Sequence, residues 1–189
     1  MNKLLKNQKG FTLAELIISV MIILLILIII ASVFSLNQKV FRKSNLKAEL
    51  DQNARITLDL MAREIRQAKA LVTALPADNS NPALVPHEIQ FEDGHNTTQI
   101  QYIRYYLDGG NLNRQTIVYY FDTSPGVYVR YNDVDAFGAP ESNILEDKVI
   151  SENFSALDFY GTENITIDLT LTKRGEQVQI RSIINPRNI

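Results

Sequence analysis

Hydrophobic and polar positions are distributed very unevenly along the chain. Between Leu16 and Leu36 no residue is charged and most are Ile, Leu, Val or Met. A helix rising 1.5 Å per residue covers a hydrocarbon core of ~30 Å in about 20 such residues, so this run predicts a membrane span. Beyond it the pattern changes period. Leu46, Leu50, Ala54, Leu58, Met61, Ile65, Ala68 and Val72 recur at steps of three and four, the mark of an amphipathic helix. The opposite face carries Glu49, Gln52, Arg55, Asp59, Arg63 and Arg66, with Asp59 and Arg63 spaced to pair at i,i+4, while Ile56 and Leu60 fall outside the stripe. Neither proline nor glycine occurs from Phe11 to Leu75, which predicts one helix on the order of 95 Å long with no fixed kink.

After Pro76, Pro82 and Pro86 the period falls to two. "HEIQFED" reads as a strand, and "TQIQYIRYYLDGGNLNRQTIVYYF" as two strands around Gly109 and Gly110, which can take the positive φ of a tight hairpin. Residues 124–148 show strand character only near Val127–Tyr131 and otherwise predict loop. "FSALDFY" and "NITIDLTLT" follow, the second alternating as a half-buried strand. A turn at "KRGE" and "QVQIRSII" then close an antiparallel hairpin. The expected class is α+β, with the long helix packed on an antiparallel sheet and the amphipathic stripe covered by that sheet rather than by a coiled-coil partner.

Charge orients this plan. Lys3, Lys6 and Lys9 all precede the apolar run, which by the positive-inside rule places the N-terminus in the cytoplasm and everything after Leu36 outside. Without the first ten residues, 16 basic residues face 21 acidic ones, a formal −5 that disfavours nucleic acid as the main partner. No cysteine is present, so no disulfide is expected. A signal anchor explains the apolar run but not Gly10 or Glu15. A cleaved secretory signal fits less well, because the run exceeds the usual h-region and "ASVFS" is a poor cleavage match. A carboxylate at the edge of a bilayer span is costly and marks a functional position.

"KGFTLAE" resembles the leader junction of type IV pilins and type II secretion pseudopilins: a short basic leader ending in Gly10, then Phe11, with Glu15 the fifth residue beyond the junction. The resemblance implies cleavage between Gly10 and Phe11 by a prepilin peptidase, methylation of the new Phe11 amine, and retention of the apolar helix. It further implies that Glu15 pairs with the Phe11 ammonium of a neighbouring subunit, since an unpaired charge in an apolar filament core costs several kcal/mol. Implied partners are other major and minor pilins or pseudopilins, the peptidase, the cytoplasmic membrane and an assembly-platform protein. The implied organisation is a leader (1–10), a transmembrane or filament-core helix (11–36), an amphipathic helical half (37–75) and a β-rich head (76–189). "QNAR…LDLMAREIRQA", with Arg55, Met61, Arg63, Glu64, Arg66 and Gln67, resembles the PilW/PulJ group of minor pilins and pseudopilins, as do Leu112, Arg114, Pro186, Arg187 and Asn188. That resemblance implies a minor subunit helping to initiate a filament near its tip. A competence pseudopilin aiding DNA uptake and a signal-anchored binding domain or enzyme are the alternatives.

Candidate chemistry adds little. His87 and His95 lack metal-ligand spacing, and no P-loop, nucleophile elbow or dinucleotide fingerprint occurs. No enzymatic activity and no cofactor are expected. Asp133 and Asp135, in "NDVDAFGAPE", are weak calcium candidates, because Phe137 and Ile144 occupy positions where an EF-hand needs ligands. The tyrosines of the predicted strands are expected to pack in the sheet rather than stack on bases.

Overall fold

A computed structural model describes residues 10–96 and 98–187. One uninterrupted helix, α1 (Leu13–Gln67), is followed by a 3-10 turn at Pro82–Leu84 and eight strands among the described residues: β1 (Ile89–Glu92), β2 (Tyr102–Asp108), β3 (Asn111–Tyr120), β4 (Tyr128–Val129), β5 (Glu141–Glu152), β6 (Phe154–Tyr160), β7 (Ile165–Lys173) and β8 (Glu176–Ile184). The chain divides at Asn45 into two compact units.

In the first unit, α1 presents apolar side chains on every side, Leu16 through Leu36 all being exposed. A helix apolar all round needs either lipid or an apolar assembly around it, and α1 is long and apolar enough to cross a membrane. Two of its hydroxyls bond within the helix: Ser19 Oγ donates to the Glu15 carbonyl at 2.7 Å and Ser32 Oγ to that of Ile28 at 2.9 Å.

In the second unit, α1 buries Leu50, Ala54, Thr57, Leu58, Met61, Ala62 and Ile65. These pack with Ile89, Phe91, Ile103, Tyr105 and Leu112 of one sheet and Phe154, Leu157, Phe159, Ile167, Leu169 and Leu171 of another. The expected stripe is therefore the core face, and Ile56 is exposed as expected. One helix covers two sheets rather than the single sheet anticipated. The first sheet runs β1-β2-β3, all antiparallel. Tyr119 of β3 pairs with Val129 of β4 and also with Ser142 of β5, so β4 and β5 flank β3 on opposite edges. The second sheet is the antiparallel meander β6-β7-β8. Gly109 (φ 56°) and Gly110 (φ 84°) close the β2-β3 hairpin, as their positions predict.

Two further expectations are corrected. The helix ends at Gln67, not near Leu75, although no helix breaker lies between them. The chain after Gln67 is captured as an extended partner of β1: Lys69 N donates to the Glu92 carbonyl, Glu92 N to that of Ala70 and Val72 N to that of Gln90, with Leu71 opposite Phe91. Edge hydrogen bonds on β1 replace further helical turns. The second correction is β5, a strand of 12 residues whose first part, 141–148, lies in the region expected to be mostly loop. Nearly every β5 side chain is exposed, so no hydrophobic alternation marks it, and two register shifts against β3 disrupt what pattern remains.

Candidate functional site

Gly10 and Phe11 are exposed just before α1, and Thr12 caps it. Thr12 Oγ1 accepts a hydrogen bond from Glu15 N at 3.2 Å, while Glu15 Oε2 accepts from Thr12 N and Thr12 Oγ1, both at 2.9 Å. Thr12-Leu13-Ala14-Glu15 is thus a capping box, in which the residue before the helix and the third residue within it satisfy each other's backbone donors. A carboxylate in the first helical turn also faces the positive end of the helix dipole. The geometry gives Glu15 a local reason to stand at the edge of an apolar span. Both bonds fall on Oε2, so Oε1 can accept from a further donor. Lys3, Lys6 and Lys9 lie outside the described residues.

The head contains a charged site that its sequence does not reveal. Glu64 and Arg114, 50 positions apart, meet between α1 and β3. Arg114 Nε lies 3.1 Å from both Glu64 oxygens and Nη2 3.0 Å from Oε1, a forked pairing whose side chains are 14% and 20% exposed. Tyr105 Oη donates to Glu64 Oε2 at 2.5 Å, and Arg114 Nη1 donates to Thr116 Oγ1 at 3.1 Å. Burial pushes the Tyr105 hydroxyl well above the usual phenol range, and the Glu64 charge pushes it further. For Arg114, burial pulls the guanidinium down, but the bonds and charge of Glu64 raise it overall. This network ties the helix to the sheet by direction-dependent bonds that hydrophobic packing cannot supply. Glu64 stands on the flank of the buried stripe, between Met61 and Ile65 on one side and exposed Arg63 on the other.

A second charged pair crosses the β6-β7-β8 sheet. Arg181 Nε and Nη2 donate to the two Asp168 oxygens at 2.6 and 2.7 Å, and Tyr160 Oη donates to Asp168 at 3.0 Å. The half-buried alternation expected of β7 is therefore incomplete: Thr166, Asp168 and Thr170 on its outer face are buried too, because β7 is the central strand.

Asp133 and Asp135 are not brought together as ligands. Asp133 Oδ2 accepts from Arg130 N at 2.8 Å, and Asp135 Oδ1 accepts from Phe137 N at 2.7 Å and Gly138 N at 3.0 Å, each carboxylate holding its own turn. Among the described residues no three His, Asp or Glu side chains are grouped to hold a metal ion. His87 and His95 are both exposed; His87 Nδ1 lies 2.8 Å from Asp158 Oδ1. Tyrosines pack on one another as expected: Tyr119 and Tyr131 each meet Tyr102 edge-to-face and lie tilted at 58° to each other.

Residues 5–31 match the family model of the prokaryotic N-terminal methylation motif, a type IV pilin-like signal. No curated protein and no solved structure matches the chain. The matched stretch contains Gly10, Phe11, Glu15 and most of the apolar run. It supports a pilin-like or pseudopilin-like protein and implies processing by a prepilin peptidase, with pilins as partners in general. The apolar helix and this signal are consistent with a single-pass membrane anchor, and the α+β architecture, one long helix on antiparallel sheets, is pilin-like.

Proposed function

We propose that this chain is a non-enzymatic minor subunit of a type IV pilus or type II secretion pseudopilus, cut between Gly10 and Phe11 and methylated at Phe11. The observation that carries the reading is the junction itself: a helix apolar on all sides, opened by a Thr12–Glu15 capping box and matched by the methylation motif. In the membrane the capping box keeps the Glu15 carboxylate hydrogen-bonded. In a filament core, Glu15 Oε1 takes the Phe11 ammonium of a neighbour, and pairing two charges that would each cost several kcal/mol alone fixes the stagger between subunits. The minor-subunit and tip assignments rest on the PilW/PulJ resemblance, in which Glu64 and Arg114 both take part. Their forked contact gives those two residues a shared structural purpose.

The test is the mass of the N-terminal peptide from membrane-extracted protein, with and without Glu15→Ala. The expected start is Phe11 carrying one methyl group in both forms, with filament incorporation lost in the variant. An intact Met1, a start near Ser35, or normal incorporation of the variant would overturn the proposal.

A further inference from the structure

Between β3 and β5 the chain makes an excursion, residues 121–140, that holds only the two-residue β4. Its backbone is tied down. Ser124 N donates to the Phe121 carbonyl, Val127 N to that of Ser124, Asp135 N to that of Gly138, and Tyr131 N to Tyr102 Oη. Yet Phe137 is 85% exposed and Val134 74% exposed. Neither side chain is covered by the rest of the chain. Phe137 stands at the rim of a cavity of about 380 Å³, lined also by Phe121, Asp122, Thr123, Asp135, Ala139 and Glu141.

The lining combines two phenyl rings with three carboxylates and no basic side chain. Its complement is a cation, and its chemistry selects which kind. Calcium takes six to eight oxygen ligands, Asp135 spends one of its own on Phe137 N and Gly138 N, and among the described residues no three His, Asp or Glu side chains are grouped to hold a metal ion. Phenyl faces favour an organic cation, whose charge they attract and whose alkyl stem they cover. The volume lies near the small end for ligand sites, which suits one side chain and excludes a helix.

We infer that the Phe137 cavity docks an arginine or lysine side chain from the head of a neighbouring protein subunit. The identity of that neighbour rests on the filament reading above; the recognition chemistry does not. The guanidinium lies against Phe121 and Phe137, its charge faces Asp122 and Glu141, and Val134 packs on residues flanking it.

The test uses the full chain in detergent micelles, labelled with 4-fluorophenylalanine and followed by fluorine NMR, the Phe137 resonance being assigned through Phe137→Leu. The probe is a blocked tripeptide with a central arginine, compared with the same peptide bearing neutral citrulline and with calcium chloride. The expected result is a saturable shift of Phe137, weakened about fivefold or more by citrulline and by Glu141→Gln. No shift, an equal response to citrulline, or saturation by calcium alone would overturn the docking chemistry. In cells, a photo-crosslinking amino acid at position 137 of the full chain is expected to label a basic segment of another subunit bearing a methylation motif. Exclusive labelling of lipid would refute the choice of partner. Peptide binding by a chain found to retain Met1 would instead remove the filament reading and leave the cavity's chemistry standing.

Discussion

Replacing Arg114 with leucine strands Glu64 between helix and sheet. The pair has three nitrogen–oxygen contacts between 3.0 and 3.1 Å, and its two side chains are 14% and 20% exposed. Removing one partner of a fully buried pair costs about 3–5 kcal/mol. Glu64 keeps a little solvent and the Tyr105 hydroxyl, so the expected loss is near the lower bound, about 3 kcal/mol. Leucine at both positions removes the stranded charge but leaves the Tyr105 hydroxyl, on a fully buried residue, without its acceptor, at about 1–3 kcal/mol. Adding Tyr105→Phe removes that cost as well, so the triple variant is expected to be more stable than Arg114→Leu alone. The assay is urea denaturation of the full chain in a non-ionic micelle, followed by tyrosine fluorescence, because the chain has eight tyrosines and no tryptophan. The apolar helix stays in the micelle, so the transition reports the head. A cycle of single and double variants isolates the coupling, expected to exceed about 1 kcal/mol. If Arg114→Leu changes stability by less than about 0.5 kcal/mol, the contact behaves as an exposed surface pair and the reasoning fails.

Gly94 lies against the end of α1, where an added Cβ would sit 1.7 Å from the Gln67 carbonyl oxygen. Gly94→Ala is expected to lower head stability by about 2 kcal/mol, whereas Gly126→Ala, with open space around it, stays within about 0.5 kcal/mol; equal urea midpoints for the two variants would contradict this. The Arg181 bonds hold the Asp168 carboxyl below its ordinary value of 3.8, with burial opposing and Tyr160 assisting. A lowered folded value means the stabilisation is complete above the unfolded value and is lost as pH falls through the folded one. Asp168→Asn is therefore expected to be less stable at neutral pH and to lose less than the parent on acidification below about pH 4. Parallel curves of urea midpoint against pH would refute it.

Most of the fold was legible because its signals are local. The Leu16–Leu36 run, the three-and-four stripe from Leu50 to Ile65 and the Gly109–Gly110 hairpin each follow from spacing within a few residues. The Thr12–Glu15 box is equally local, a threonine followed by a glutamate three residues later at the start of the helix. Other features depend on what arrives from elsewhere in the chain. Nothing near Gln67 ends the helix; β1 does, by offering edge hydrogen bonds that the next helical turn cannot match. Nothing in β5 alternates, since β3 recruits it by backbone pairing with both its faces open.

The sequence by itself determined the long apolar helix, the methylation motif that contains Gly10 and Phe11, and the α+β order of elements, because period and motif spacing act at short range. Only the tertiary structure decided that Glu64 leaves solvent for Arg114 and Tyr105, and that Asp168 finds Arg181. It also set Phe137 at the rim of an anionic cavity. Each of these needs residues far apart in sequence to be brought within hydrogen-bond or van der Waals reach, which only the packing of helix and sheets achieves.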